Sequence, residues 1–279
     1  MLEKSLKGGD HLLNDFEMIV HKFDTSDNIT IYPISDVHLG SLEHMEREWS
    51  QFCIDLMSQP NTYITLGGDL INNATRTSVS NVFDETMRPR EQKKIVVEML
   101  TPIKDRILCA VTGNHERRST KDVDDDPTYD IMTKLNLEHL YRENIAFVKI
   151  QLGCEEKRKD SRSSRSDYRP TYIMAVTHGV GTGRMTGGAV NRTEQFGTII
   201  DGCDIFISGH THKPFITQPS KIKIDPRNNR VSVVPFKVLS TSSWMNYGGY
   251  AAQKLLNPNS HAKQIITLSG YKKNIRVEM

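Results

Sequence analysis

What the sequence lacks narrows it first. It has four cysteines, Cys53, Cys109, Cys154 and Cys203, and no two form a Cys-x-x-Cys pair. That spacing excludes a dense disulfide framework and a thiolate metal knuckle, and it points to free thiols in a reducing compartment. No apolar run approaches the roughly 18 residues of a membrane span. Residues 1–15 carry interspersed charges and no apolar core, so no signal peptide is expected and the expected location is cytoplasmic. An excess of one charge is also missing. Lys and Arg number 36, Asp and Glu 34, and the net charge is +2, which neither demands nor excludes a nucleic-acid partner. With 37% hydrophobic and 25% charged residues in 279, the chain reads as an ordinary globular protein of one domain.

What is present is a repeated pattern. Residues 29–34 form an apolar, β-branched run that reads as a buried strand and ends in Asp36-Val37-His38. Residues 63–66 form a second, ending in Gly67-Gly68-Asp69, where the glycines let the chain turn at the carboxylate. Residues 107–112 form a third, ending in Gly113-Asn114-His115-Glu116. A fourth, 171–177, delivers His178-Gly179, and a fifth, 205–208, ends in Gly209-His210-Thr211-His212. Helical spacing over 43–58, 91–100, 127–140 and up to 200 alternates with these strands, which predicts an α/β architecture. Open α/β sheets place their sites beyond the carboxyl ends of such strands.

The remaining stretches are less informative. Residues 1–14 read as a loose tail, and 16–23 as a strand forming a hairpin with 29–34, with a short helix as the second reading. Residues 71–82 and 121–126 read as surface loops, and the Lys/Arg/Ser-rich stretch 155–169 as a flexible insertion. The part after residue 213 is β in character and closes in a hairpin, 264–268 with 274–278. Trp49 and Met57 read as core residues, and Trp244 and Tyr247 as core or cap.

Asp36, His38, Asp69, Asn114, His178, His210 and His212 together offer oxygen and imidazole donors with no thiolate among them. Such a set suits Mn²⁺, Fe²⁺ or Zn²⁺ better than an all-oxygen Mg²⁺ site. Seven donors exceed the needs of one tetrahedral ion. Two divalent ions roughly 3.5–4 Å apart, bridged by a carboxylate, would use them.

These five blocks, in this order across residues 29–213, resemble the signature of the calcineurin-like metallophosphoesterases. The loop after Asp69 is also similar to that of phage or prophage members. The resemblance implies a four-layer α/β/β/α sandwich of two mixed β-sheets. It implies that Asp36, His38 and His212 bind one metal, that Asn114, His178 and His210 bind the other, and that Asp69 bridges them. His115 would then face the substrate and assist the leaving oxygen, with Asp69 or Glu116 orienting it. One departure stands out: many members carry an acid three residues beyond the bridging Asp, and here that position is Asn72.

The function expected is dinuclear hydrolysis of a phosphate ester, with manganese as the foremost metal and Fe, Zn or Ni as alternatives. A phosphodiesterase or nuclease comes first, and a phosphomonoesterase or phosphoprotein phosphatase second. Arg184, in the glycine-rich loop, and Arg117 are candidate substrate contacts, and nucleic acid or a nucleotide is a candidate partner. A non-catalytic scaffold is the reading from another class. Its signature would be lost ligands, whereas here every ligand position is filled.

Overall fold

An apolar run with every residue buried needs cover on both faces, and residues 107–111 are such a run. The computed structural model describes residues 15–76, 78, 82–153, 169–181, 185–258 and 260–279. Among them, fourteen strands and six α-helices form. In chain order the elements are β1 (Ile19–Phe23), β2 (Ile29–Ile34), α1 (Glu46–Ser58), β3 (Thr62–Leu66), α2 (Pro89–Leu100), β4 (Ile107–Val111), α3 (Glu116–Val123), α4 (Pro127–Lys134), β5 (Tyr141–Arg142) and β6 (Ile145–Leu152). Then follow β7 (Thr171–Thr177), α5 (Thr186–Ile199), β8 (Ile205–Ser208), β9 (Phe215–Thr217), β10 (Ser220–Asp225), β11 (Arg230–Pro235), β12 (Lys237–Ser240), α6 (Gly249–Gln253), β13 (Ile265–Leu268) and β14 (Ile275–Glu278).

Two six-stranded sheets result, in the orders β14-β13-β2-β3-β4-β5 and β1-β6-β7-β8-β12-β9. Both are mixed. In the first, β2, β3, β4 and β5 run parallel while β13 is antiparallel to β2 and β14 to β13. In the second, β7, β8 and β12 are parallel while β6 is antiparallel to β7 and β9 to β12. One apolar core joins the sheets, from Ile31, Ile64 and Val111 to Ile150, Val176 and Ile207, and it takes in Trp49 and Leu56 of α1. A smaller cluster of Ala175, Phe206 and Phe236 packs against Ala189 of α5. With helices outside each sheet, the layers run α/β/β/α, as the resemblance implies.

The expected hairpin of β1 with β2 does not form. β2 is central, with both edges occupied by β3 and β13, so β1 crosses to the second sheet and pairs in parallel with β6. Residues 71–74 are buried rather than a surface loop, and residues 121–123 complete α3 rather than a loop. The helix expected over 127–140 ends at Lys134, and a short 3₁₀ turn covers Glu138–Leu140. The expected tail over 1–14, all of the 155–169 insertion but Arg169, and Arg184 lie outside the described residues.

Trp244 is buried, packed on Trp49 with ring centroids 5.0 Å apart, and Tyr247 is exposed. Cys53, Cys109 and Cys203 are buried free thiols, and burial pushes each pKa up, to about 12, 12 and 11. No helix among the described residues is long and apolar enough to cross a membrane.

Ile64 of β3 is fully buried, whereas Ile54 of α1 is 54% exposed. Truncating Ile64 to Ala should cost about 2–5 kcal/mol, through lost transfer energy and the cavity left behind. Ile54→Ala should stay within about 0.5 kcal/mol. Urea unfolding of the two variants beside the parent checks the contrast.

Candidate metal centre

The carboxyl ends of β2, β3, β4, β7 and β8 converge, and each turns sharply to aim a donor inward. Asp36, His38, Asp69, His210 and His212 all take left-handed backbone angles, with φ of 54°, 50°, 53°, 68° and 55°. Non-glycine residues rarely adopt this region, and runs of it gather at sites where geometry outweighs local comfort. Gly68 makes one of these turns. Its φ is +86°, and a Cβ placed there would lie 2.5 Å from the Gly113 amide nitrogen, so the turns bearing Asp69 and Asn114 touch backbone to backbone.

Two donor clusters result. In the first, Asp36 Oδ1 lies 3.2 Å from His212 Nε2 and 3.8 Å from His38 Nε2, and the two imidazole nitrogens are 3.2 Å apart. In the second, Asn114 Oδ1 lies 2.8 Å from His178 Nε2 and 2.7 Å from His210 Nδ1. Asp69 Oδ2 sits between them, 3.3 Å from His178 Nε2 and 3.8 Å from His38 Nε2. The groups Asp36–His38–His212, His38–Asp69–His115 and Asp69–His178–His210 each converge closely enough to hold a metal ion.

The side chains are held by their far atoms. Asp36 Oδ2 accepts from the Ser35 hydroxyl and from the His210 amide at 2.9 Å, which leaves Oδ1 facing the cluster. Ser35 Oγ is in turn in contact with Thr241 Oγ1. Asp69 Oδ1 accepts from the His115 amide at 2.8 Å, which leaves Oδ2 free to face both clusters. His178 Nδ1 donates to the Gly67 carbonyl at 2.8 Å. Its Nε2 lone pair then meets oxygen lone pairs of Asn114 and Asp69, an arrangement that is repulsive until a proton or a cation lies between them.

The donor set fits cations on a second count. Asp36 Oδ1 is buried without a hydrogen-bond partner, and an orphaned buried carboxylate oxygen is costly unless a positive charge meets it. Burial works to raise the Asp36 and Asp69 carboxyls, yet the surrounding imidazoles outweigh it and hold both below the usual carboxylate range. Burial likewise opposes charge on His178, and the Asp69 carboxylate overcomes it, drawing that pKa up to about 10. Burial lowers His38, His115 and His210.

His115 borders both clusters and closes a further metal-capable group with His38 and Asp69. Its Nε2 is 3.9 Å from Asp69 Oδ2, and its ring meets that of His38 edge-on at 4.3 Å between centroids. The partner that fixes the ring is the Asn72 carbonyl, 2.8 Å from Nδ1. The sequence had suggested Asp69 or Glu116 for this; Asp69 instead accepts from the His115 amide through Oδ1, with its Oδ2 3.9 Å from the ring nitrogen. Asn72 itself bonds Glu85 through Nδ2 at 2.7 Å. Arg118 donates to the same Asn72 carbonyl at 3.1 Å, whereas Arg117 turns to the Glu143 carbonyl and Asn144 Oδ1, at 3.0 and 2.9 Å.

Glu116 has a role that sequence reasoning missed. Fully buried, it accepts from the amides of Asp69, Leu70, Ile71 and Gly113, at 2.9, 2.7, 3.1 and 3.1 Å. One carboxylate thus ties the turn bearing Asp69 to the turn bearing Asn114. Burial first, then the Asp69 charge, push its pKa up to about 8. The available signal was an acid beside two donors in a run that otherwise supplied ligands.

The fold and this double cluster define a metal-dependent hydrolase site of the α/β/β/α class. The sequence model of the calcineurin-like phosphoesterases matches residues 29–214, and the chain belongs to that family. It is a metallophosphoesterase. No curated protein matches the sequence. Solved structures that resemble it distantly include the following three. A conserved uncharacterized protein from Streptococcus pneumoniae, a predicted phosphoesterase, shows a TM-score of 0.36 at 10% identity over 91% of this chain and 99% of its own. A metallophosphoesterase from Sphaerobacter thermophilus shows 0.36 at 13%, over 90% and 89%. The NAD nucleotidase of Haemophilus influenzae shows 0.35 at 11%, over 90% of this chain and 49% of its own. The assignment rests on the family match and the donor geometry.

Gly68→Ala should cost both stability and metal binding, because the added Cβ meets backbone that cannot move aside and the left-handed angle is strained for any side chain. The expected losses are about 2 kcal/mol or more in urea unfolding and at least tenfold in Mn²⁺ affinity by calorimetry. Parental values for both would contradict this account of the turn.

Proposed function

We propose that the chain is a dinuclear-metal phosphodiesterase, with nucleic acid or a nucleotide as the substrate class. The observation that carries the reading is the position of Asp69 Oδ2 between the two donor clusters, within 3.3–3.8 Å of an imidazole of each. Asp36, His38 and His212 would hold one ion, Asn114, His178 and His210 the other, with Asp69 shared. Manganese is the proposed metal, and Fe, Zn and Ni are the alternatives. Bound divalent cations supply hydroxide at neutral pH and neutralise phosphate charge.

The chain's own groups do the rest. Asp69 and Asp36 present one oxygen each because the other is fixed by a hydrogen bond. The Asn72 carbonyl keeps a proton on His115 Nδ1 and so leaves Nε2 to deliver a second proton to the departing oxygen. Arg118, on the same carbonyl, stands beside that departure point. Three buried carboxylates, Asp36, Asp69 and Glu116, underlie the site.

The test is hydrolysis of bis-p-nitrophenyl phosphate beside p-nitrophenyl phosphate, by chelator-treated protein with Mn²⁺ restored. Diester cleavage that returns with the metal is expected. His115→Ala should lower kcat by about 10²–10⁴-fold with metal content near the parental value. Asp69→Asn should abolish turnover and weaken binding of both ions. Cleavage of the monoester alone would replace the diester reading, and full activity in either variant would contradict the assigned roles.

A further inference from the structure

Strands β10 and β11 form a two-stranded ribbon that belongs to neither main sheet. Its register sets Ile222 opposite Val233 and Ile224 opposite Val231. Side chains two apart on a strand share a face, so these four lie together, flanked by the pair Ser220 and Pro235. No residue of that face is charged. The other face carries Lys221, Lys223 and Asp225 opposite Val234, Ser232 and Arg230. From it Lys221 reaches the body of the protein, with Nζ 2.8 Å from Asp201 Oδ1 and 3.2 Å from the Ile200 carbonyl.

The ribbon is therefore amphipathic with its apolar half outward. Ile222, Ile224, Val231 and Val233 are 72%, 69%, 71% and 70% exposed. A ribbon patterned this way normally buries its apolar face, and an isolated two-stranded ribbon is marginal in water. The tip is nonetheless well formed. Asp225 Oδ1 accepts from the amides of Arg227 and Asn228, at 3.1 and 3.2 Å, and Asn229 takes the left-handed angle that closes the turn.

We propose that this face is the interface of a homodimer, two ribbons packing face to face about a two-fold axis. A flat, uncharged, β-branched surface is complementary to itself, as an isologous contact requires. It offers no charge for a nucleic acid, an acidic peptide or an anionic membrane. The four side chains expose about 500 Å² per copy, so a pair would bury about 1,000 Å², the threshold for a specific interface. The proposal is independent of the metal centre.

Sedimentation velocity of the full chain between 1 and 100 µM tests it. The parent is expected at twice its 31.7 kDa. The double variant Ile222→Lys with Val233→Glu keeps a favourable cross-strand pair within the ribbon but would bury charge in the dimer. It should run as a monomer, with its dissociation constant raised at least tenfold and its circular dichroism intact. Ile224→Thr with Val231→Thr keeps β-propensity and should also dissociate, and it decides the matter should the charged variant not fold. A parent that stays monomeric throughout, leaving the face to some other partner, overturns the proposal. So does self-association that survives in both variants.

Discussion

Three carboxylates within one buried volume set the terms for the rest of this structure. Asp36, Asp69 and Glu116 are at most 1% exposed, and charges removed from water must be met by hydrogen bonds or opposite charge. Glu116 is met by four backbone amides. Asp36 and Asp69 have one oxygen met by an amide and turn the other toward imidazoles. The centre of the fold is thus a cluster of buried carboxyl groups with its backbone contacts arranged in advance. Two mixed sheets packed through a common core hold it in place.

The same arrangement carries a conformational cost. Five of the seven donors named from the sequence sit in left-handed backbone conformations, each costing of order 1–3 kcal/mol. The turns survive because the strands behind them are buried and because Glu116, Asn73 and Ser35 over-determine their path. Asn73 contributes through Nδ2, bonded to the His115 carbonyl at 2.8 Å and to Ser119 Oγ at 2.9 Å. The strain lies at the carboxyl edge, and the stability that tolerates it lies in the core, from Ile31 and Ile64 to Val176 and Ile207.

The donors were legible because each follows a β-branched run and a small residue, a local pattern that survives folding. The five strands that deliver them, β2, β3, β4, β7 and β8, lie within a residue or two of where the sequence marks them. What was not legible depends on the rest of the molecule. β1 looked like the partner of β2, but which edge a strand finds free is a tertiary matter. α3, with the sequence ERRSTKDV, has no apolar stripe. It forms where His115 and Glu116 are already fixed, so hydrophobic periodicity could not reveal it. The polar stretch at 71–74 looked solvated, yet its amides are satisfied by Glu116, Gln92 and Glu85. The orientation of His115 by a backbone carbonyl leaves no trace in side-chain identity.

The central claim is that two cations share Asp69, and an anomalous difference map of crystals grown with Mn²⁺ tests it most directly. The account predicts two peaks, both in contact with Asp69 Oδ2. One should lie against Asp36, His38 and His212, and the other against Asn114, His178 and His210. A single peak at full loading, or two peaks that do not share Asp69, would contradict it.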